Sequence, residues 1–384
     1  MSFKVPWSKQ HKTITGGLPL SFSNSYTEPL SMPELVELTR ARGDHALVDA
    51  FDQHGLEYTA NGGSLDLRQT IAGLYGNAIG ADNILVFCGG QVALQTCAFA
   101  LLTRADHAIV FTPGYQSVQQ APLFAGADVT TIPLQAENGW QIQPDEVEAA
   151  MRSNTRYLVI NEPFNPAGSL MSRRLQGDLI ALAERHNLHL LSDEAYRLLE
   201  HDPRTRLPAM ADAYPRGISL CTLSKPWGAC GVTIGWLALQ DTALRQACID
   251  VQYFGSACPG RASELQAIMT LRASDAILKK NLAIIAHNLH LLDEFFQRYS
   301  KFFQWLRPTA GAVGYVKFSG PMSSAALGKA LADAGISIKP AYVFSDPAYA
   351  DAYRDYFRIG FGEASMPKAL VALQRFVEEH QHSW

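Results

Sequence analysis

Two polar side chains, each at the end of an apolar run, could together carry out chemistry on an amine. Asp193 ends the run that begins at Leu190, and Lys225 follows the run that ends at Thr222. A lysine can form an imine with an aldehyde, and a buried carboxylate can hold a protonated ring nitrogen. Pyridoxal 5′-phosphate (PLP) carries both groups, so the pair predicts a PLP site with Lys225 and Asp193 as catalytic residues.

The elements that must position these residues are short apolar runs that alternate with amphipathic stretches. The runs predict seven strands, at residues 84–87, 107–112, 128–133, 157–160, 188–193, 218–222 and 232–239. Helices are predicted between strands, at residues 91–102, 144–152 and 174–186. Buried strands joined by helices are typical of an α/β fold with a mostly parallel sheet covered on both faces.

Four polar or aromatic residues lie at or just beyond the predicted strand ends: Tyr115, Asn165, Asp193 and Lys225. In a mostly parallel sheet, ligands bind outside the carboxyl ends of the strands. The four residues are therefore expected to meet at one site.

The pattern changes near residue 283. A long helix at residues 282–299 is followed by strands at 314–318 and 356–360, a helix at 325–334 and a final helix. The sequence thus predicts three parts: an N-terminal segment (residues 1–50) that joins the small domain, a large PLP-binding domain (51–283), and a small α+β C-terminal domain (284–384).

Composition excludes several classes of function. The chain has 384 residues, 47% of them hydrophobic, which is enough for a large core. A net charge of −4 with scattered basic residues argues against a nucleic-acid partner. No run approaches the ~20 apolar residues of a membrane span, and the first residues lack the apolar core of a signal peptide. We expect a cytoplasmic protein.

Metal and nicotinamide chemistry are also disfavoured. The six cysteines are dispersed and are expected to be reduced and mostly buried. The 11 histidines show no metal-like grouping, so no metal is predicted. No Gly-x-Gly-x-x-Gly motif follows a strand.

Three further motifs occur in a familiar order around the Asp193–Lys225 pair. Asn165 lies in Asn161-Glu-Pro-Phe-Asn165-Pro-Ala-Gly168, Gly89-Gly90-Gln91-Val92 opens a helix after a strand, and Arg358 lies in Phe357-Arg358-Ile-Gly360. On these motifs the chain, from about residue 58 to 361, resembles the class I/II aminotransferase family of fold-type I PLP-dependent enzymes. The resemblance implies a large domain with a mostly parallel seven-stranded sheet and a smaller α+β C-terminal domain.

The resemblance also implies roles for the site residues. Lys225 would carry the cofactor and move a proton between the substrate Cα and the cofactor C4′. Asp193 would lie beneath the pyridine nitrogen, and Tyr196 would bond the cofactor O3′ as a third catalytic residue. Asn165 would form hydrogen bonds with O3′ and with the substrate carboxylate. Arg358 would bind the same carboxylate.

Other residues would hold the rest of the cofactor. The phosphate would be bound by the helix N-terminus at Gly90, Gln91 and Val92 and by the hydroxyls of Thr222 and Ser224. Tyr115 would stack on the ring. Tyr58 would reach the phosphate of a neighbouring subunit, so the resemblance implies a homodimer with a shared active site.

Each of these motifs has a structural alternative. Asp193 would also suit the N-cap of a helix, and the Asn-Pro-x-Gly stretch is a common turn signal. Lys225 and Arg358 could be surface residues, and Tyr115 could be an ordinary core or loop tyrosine. The motifs weigh against these alternatives only because they occur together.

The chain also departs from the family pattern. Thr233 stands eight residues after Lys225, where the family has a phosphate-binding arginine. Arg261 is a candidate replacement cation; a surface or subunit-contact position is the alternative. Glu28 could receive a basic substrate side chain or be a solvated loop residue. The usual Pro-Gly of the pocket wall is Pro340-Ala341.

Two reactions therefore remain open, both beginning with removal of a proton from Cα of an L-amino acid. The first is transamination, from an amino acid to a keto acid by way of pyridoxamine phosphate. The second is elimination, replacement, cyclisation or oxidation of a basic, arginine-derived amino acid in specialised metabolism, as in capreomycidine synthase-like cyclases. A non-enzymatic regulator is disfavoured because the chain has no room for a DNA-binding domain.

Overall fold

Helices and strands alternate through most of the computed structural model, which describes residues 7–384. The helices are α1 Trp7–Thr15, α2 Met32–Ala41, α3 His45–Asp52, α4 Leu65–Ala72, α5 Gly90–Leu101, α6 Gln116–Ala125, α7 Pro144–Ala149, α8 Arg173–Arg185, α9 Met210–Ala213, α10 Thr242–Tyr253, α11 Arg261–Arg272, α12 Ser274–Arg298, α13 Ser324–Asp333 and α14 Met366–His380. The strands are β1 Leu20–Ser21, β2 Ile84–Phe87, β3 His107–Thr112, β4 Asp128–Pro133, β5 Thr155–Asn161, β6 His189–Asp193, β7 Gly217–Thr222, β8 Gly235–Leu239, β9 Phe303–Trp305, β10 Val313–Phe318, β11 Ile336–Ser337, β12 Lys339–Pro340 and β13 Tyr356–Gly360.

The large sheet has seven strands in the order β2-β8-β7-β6-β5-β3-β4. The five strands from β7 to β4 pair in parallel, whereas β8 is antiparallel to both of its neighbours. The predicted α/β fold with a mostly parallel, seven-stranded sheet is confirmed.

Helices cover both faces of this sheet because successive strand residues point to opposite sides. In β3, Val110 belongs to a core cluster with Leu94 of α5 and Val118 of α6. Its neighbour Ile109 belongs to a different cluster, with Leu179 of α8. Burial on both faces explains why these strands are continuous apolar runs in the sequence.

A smaller antiparallel sheet, in the order β12-β13-β10-β9, packs with α12, α13 and α14 around a separate core. β1 pairs in parallel with β11, which joins the N-terminal segment to this part of the chain. The division of the chain at residues 50 and 283 stays a prediction; α12 runs through residue 283.

Several element boundaries differ from the sequence prediction by one to three residues, and the start of α12 differs by eight. α12 begins at Ser274, not at residue 282; the buried Asn281 interrupts the apolar pattern just before the predicted start. β8 begins at Gly235, not at residue 232, because Thr233 adopts a left-handed conformation with φ 57° just before the strand. No helix within residues 7–384 is long and apolar enough to cross a membrane.

Candidate active site

The carboxyl ends of three neighbouring strands meet at one edge of the large sheet. Asn161 of β5 pairs with Asp193 of β6, which in turn pairs with Leu220 of β7. Asn165 lies in the turn after β5, and Lys225 lies in the turn after β7. The sheet register therefore brings the predicted residues to one edge, as expected for parallel strands.

Lys225 is half-buried at this edge. Nζ donates to Oγ of Ser25 at 2.9 Å. Burial lowers the pKa of the amine to about 8, since Cys230 and Asp193 only partly offset the cost of desolvating its charge. About a tenth of the amine is therefore neutral and nucleophilic at pH 7, far more than for an exposed lysine.

Tyr196 contacts the same serine. Its hydroxyl donates to the backbone oxygen of Ser25 at 3.0 Å. Burial raises the pKa of Tyr196 to about 12, so the phenol stays protonated and remains a hydrogen-bond donor. Ser25 thus brings the Lys225 amine and the Tyr196 hydroxyl to one point.

Asp193 is a buried acid behind these two groups. Its Oδ1 accepts a hydrogen bond from the backbone N–H of Ala195 at 3.2 Å. Burial raises the pKa of Asp193 to about 6, against the opposing effects of that N–H and of Lys225. The carboxylate is suited to pair with a cation that enters the site.

Arg358 and Asn165 form the opposite side of the site. Arg358 lies on β13 and is 2% exposed. Its Nη1 donates to Oδ1 of Asn165 at 3.1 Å, and its Nη2 donates to the backbone oxygen of Ser23 at 2.9 Å. The guanidinium also lies 4.9 Å from the ring centroid of Phe344, and its buried Nε has no hydrogen-bond partner among residues 7–384. The small sheet thereby supplies a cation next to the turn after β5.

A glycine turn before α5 forms a cradle beside the end of β7. Gly89 has a φ of 99°, a conformation that favours glycine, and Gly90 begins the helix. A side chain at Gly90 would contact Cβ of Thr222 at 3.5 Å, and Oγ1 of Thr222 lies 3.2 Å from Oγ of Ser224. The first N–H groups of α5 and two hydroxyls therefore converge where an anion could bind.

The next residues connect this cradle to β3. Nε2 of Gln91 donates to the hydroxyl of Tyr115 and, at 3.2 Å, to Oγ of Ser117. Val92 is partly buried against the core cluster of that sheet face. Tyr115 is half-buried, and burial raises its pKa. The aromatic residue and the helix N-terminus are thus neighbours, as predicted.

Thr233 borders the cradle, but its side chain carries no charge. A side chain at Gly89 would lie 3.6 Å from Cγ2 of Thr233. Arg261 begins α11, and its Nη1 lies 3.6 Å from Oε2 of the fully buried Glu264. Sγ of Cys88, next to Gly89, is 3.8 Å from the backbone oxygen of Cys258, so the segment before α11 runs close to the cradle.

Two predicted residues do not contact the group around Lys225. Tyr58 is 95% exposed. Oε2 of Glu28 accepts a hydrogen bond from the backbone N–H of Ala364 at 2.7 Å. Their roles stay predictions that depend on a second subunit and on a substrate, respectively.

Sequence reasoning missed Ser23 and Ser25, although it named Glu28 in the same segment as a candidate substrate-binding residue. This strap, residues 22–28, passes close to two glycines. A side chain at Gly360 would lie 1.8 Å from the backbone oxygen of Asn24, and one at Gly228 would lie 2.0 Å from that of Glu28. The glycines after Ile359 and Trp227 were the available signal that another backbone approaches there.

The site fits PLP on the chemistry of its donors. A partly neutral lysine suits the aldehyde, and a buried carboxylate suits the ring nitrogen. The N-terminus of α5 with two hydroxyls suits the phosphate. The arginine with an unused Nε suits a substrate carboxylate.

Comparisons with known proteins agree with this chemistry. A family model described as aminotransferase class I and II matches residues 35–375. An arginine–pyruvate transaminase from Pseudomonas aeruginosa is 34% identical over 200 residues, which cover 50% of this chain and 50% of that protein. A capreomycidine synthase from Streptomyces vinaceus is 26% identical over 295 residues, covering 76% of this chain and 74% of that protein. The chain thus spans about half the length of the transaminase that it matches.

The fold has a close counterpart among solved structures. A PLP-dependent aminotransferase from Streptococcus suis aligns with a TM-score of 0.90 and 23% identity, over 99% of each chain. At this identity the likeness establishes the architecture, and the predicted fold-type I arrangement is confirmed.

Proposed function

This chain belongs to the aminotransferase class I and II family, and on that premise we propose that it transfers the amino group of an L-amino acid to a keto acid. PLP is the cofactor. The observation that carries the proposal is the half-buried Lys225 amine, which contacts the strap of residues 22–28, as Tyr196 and Arg358 do.

In such a reaction, different residues of the site transfer the proton and orient the substrate. When bound, PLP supplies an aldehyde for the substrate amine and a ring that accepts electrons from Cα. Nζ of Lys225 takes the proton from Cα of the substrate and returns it during product formation. Arg358 and Asn165 orient the α-carboxylate through the guanidinium and the amide.

The remaining residues hold and tune the cofactor. The Asp193 carboxylate would keep a proton on the ring nitrogen of PLP, and the Tyr196 phenol would donate a hydrogen bond to the ring oxygen. The phosphate would be held by the backbone at Gly90, Gln91 and Val92 and by the hydroxyls of Thr222 and Ser224, and Tyr115 would pack against the ring.

In this proposal, Arg261 supplies the positive charge for the PLP phosphate that the uncharged Thr233 lacks. Arg261→Ala is expected to weaken PLP binding about tenfold to a hundredfold, because a charge-assisted hydrogen bond to the phosphate is lost. Equilibrium titration of cofactor-free protein with PLP measures the change. Arg261→Lys keeps a cation and should lose less.

A matched variant separates this effect from the Arg261–Glu264 ion pair. Glu264→Gln breaks the pair but leaves the guanidinium, so its PLP affinity should stay near that of the wild type. Unchanged affinity in Arg261→Ala would assign the phosphate charge to another group.

The active form is a homodimer with a shared site in this proposal. Tyr58 and Leu56 are almost fully exposed in the single chain, as is Phe254. Large apolar side chains in this number favour burial against a second copy. Tyr58 would then reach the partner's phosphate. The six cysteines are free, which agrees with a cytoplasmic setting.

One observation favours a basic substrate, which either reaction class could use. Burial raises the pKa of Glu363, and nearby Glu28 adds to this shift. Glu363 accepts from Nδ2 of Asn24 at 2.6 Å, and neither acid has a cationic partner within residues 7–384. The pair would suit a guanidinium, and the names of the arginine–pyruvate transaminase and the capreomycidine synthase point to related chemistry.

A single-turnover experiment tests the proposal and separates the two reactions. Holoenzyme is mixed with a panel of L-amino acids, including arginine and its hydroxylated forms, without a keto acid. Stoichiometric keto acid with pyridoxamine phosphate is the result expected for transamination. Repeated turnover to a dehydrated, cyclised or oxidised product, with the PLP absorbance restored, would replace transamination with the second class.

A further inference from the structure

The strap of residues 22–28 contacts Lys225 both at its backbone and at its amine. The backbone N–H of Thr27 donates to the backbone oxygen of Lys225 at 3.3 Å, and the Thr27 hydroxyl donates to the same oxygen at 2.9 Å. Two residues earlier, Oγ of Ser25 accepts a hydrogen bond from Nζ of Lys225 at 2.9 Å. One short segment therefore fixes the amine relative to the backbone that carries it.

The strap is itself anchored at both of its ends. Thr27 is fully buried, and its hydroxyl also accepts a hydrogen bond from Nδ2 of Asn281 on α12 at 2.9 Å. At the other end, the backbone of Phe22 bonds to β11 at 2.8 Å and to β13 at 2.7 Å. Ser25 lies between these anchors, so its hydroxyl has little freedom to move away from the amine.

The surroundings of the Lys225 amine make its charged form costly. The titratable side chains that act on it come from four parts of the fold: Asp193 of β6, Cys230 after β7, Lys339 of β12 and Arg358 of β13. Desolvation is the largest effect, so the pKa of the amine falls to about 8. A protonated amine at this place therefore benefits strongly from a hydrogen-bond acceptor beside it.

That benefit matters in the proposed function, because Nζ of Lys225 takes a proton from Cα of the substrate. The C–H bond breaks, an N–H bond forms on Nζ, and the electron pair is left on Cα for the cofactor ring. A neutral amine thereby becomes an ammonium group, whose hydrogen bonds are about twice as strong as those of neutral groups. Oγ of Ser25 is the acceptor that the structure places 2.9 Å from Nζ.

We propose that Ser25 is a positioning residue, whose hydroxyl oxygen holds the Lys225 ammonium group after it has taken the proton from Cα. The inference rests on the proposed function, and it serves either reaction class, since both begin with this proton transfer. The lysine amine is carried on a flexible four-carbon stem, so a fixed partner reduces the number of positions that it must search. The proton is thereby kept in one place until it is returned.

Ser25→Ala tests the proposal, because it removes Oγ but keeps the backbone oxygen that accepts the hydrogen bond from Tyr196. Exchange of the Cα hydrogen of a reactive amino acid with deuterated water, catalysed by the holoenzyme, measures the proton transfer directly. At saturating substrate we expect the exchange to slow by about tenfold to a hundredfold, with KM unchanged. Ser25→Thr keeps a hydroxyl and should restore most of the rate.

Attachment of PLP to the cofactor-free chain gives a second readout that is independent of the reaction. Attachment needs the neutral amine, whereas the Ser25 hydroxyl favours the protonated one. Ser25→Ala should therefore lower the pKa of the amine by about half a unit to one unit, and attachment at pH 7 should become about threefold to fivefold faster. Thr27→Val removes an anchor of the strap but keeps Ser25, so it should retain the wild-type pH profile.

Slower exchange together with faster attachment in Ser25→Ala supports the proposal, since a distorted site would slow both. Slower attachment in Ser25→Ala, or an equally shifted profile in Thr27→Val, would assign the effect to the strap and overturn the role of the hydroxyl. A KM that rises in step with the loss of rate would also overturn it, because Ser25 would then contact the substrate.

Failure of this inference can be distinguished from failure of the proposed function. Unchanged exchange in Ser25→Ala, beside a wild type that exchanges the Cα hydrogen, would overturn the inference alone. A wild type that attaches PLP but exchanges no Cα hydrogen with any amino acid of the panel would overturn the proposed function, and the inference with it.

Discussion

Replacement of Lys225 by alanine should abolish covalent attachment of PLP and slow proton removal from the substrate by about 10⁴-fold or more. General acid–base catalysis by one positioned group contributes about 10²–10⁴-fold, and loss of the covalent link adds to this. Stopped-flow absorbance with a reactive amino acid measures the rate. Mass spectrometry after borohydride reduction detects the attached cofactor in the wild type alone.

The pH dependence of attachment tests the burial of Lys225 directly. Attack on the aldehyde requires the neutral amine, whose pKa burial lowers from 10.5 to about 8. The attachment rate should therefore rise about tenfold per pH unit below pH 8 and level off above it. A rate that still rises at pH 10 would contradict a buried amine. Lys225→Arg is the control, since it keeps the cation but cannot attach the cofactor.

The sequence alone was sufficient to predict the large sheet and the residues that lie at its carboxyl edge. β3 and its parallel neighbours are continuous apolar runs because both of their faces are buried. Once the strands are parallel, their carboxyl ends must share one edge, so Asp193 and Lys225 have little freedom to separate. The arrangement of residues at the shared edge of the parallel strands was therefore predictable, because the strand pattern constrains it strongly.

Contacts between distant segments were beyond the sequence pattern. The Ser25 contacts with Lys225 and Tyr196 depend on where the strap of residues 22–28 crosses the small sheet. The start of α12 was missed because buried Asn281 donates to a backbone oxygen of Pro226 instead of packing against apolar neighbours. Such polar burial has no periodic signature.

Asp193→Asn should lower the rate of amino-group transfer by about 10²–10⁴-fold. Removing one partner of a buried ion pair costs about 3–5 kcal/mol, and each 1.36 kcal/mol is about tenfold in rate. The amide occupies the same space and can still accept the N–H of Ala195, but it cannot hold the proton on the ring nitrogen. Single-turnover kinetics with saturating PLP measures the loss.

The same substitution should stabilise the cofactor-free protein, which separates a catalytic role from a structural one. Burial raises the pKa of Asp193 from 3.8 to about 6, so the folded state binds more protons than the unfolded state between these values. The ionised carboxylate therefore lowers the free energy of unfolding. This loss grows as pH rises from about 4 to 6 and reaches about 3 kcal/mol. Asp193→Asn should remove this cost, so its gain in melting temperature should be present at pH 7 and absent near pH 4. An Asp193→Asn variant that is both inactive and less stable at pH 7 would instead show that Asp193 has a structural role. A variant that is slower but more stable would show that the charge of Asp193 serves the cofactor and destabilises the folded protein.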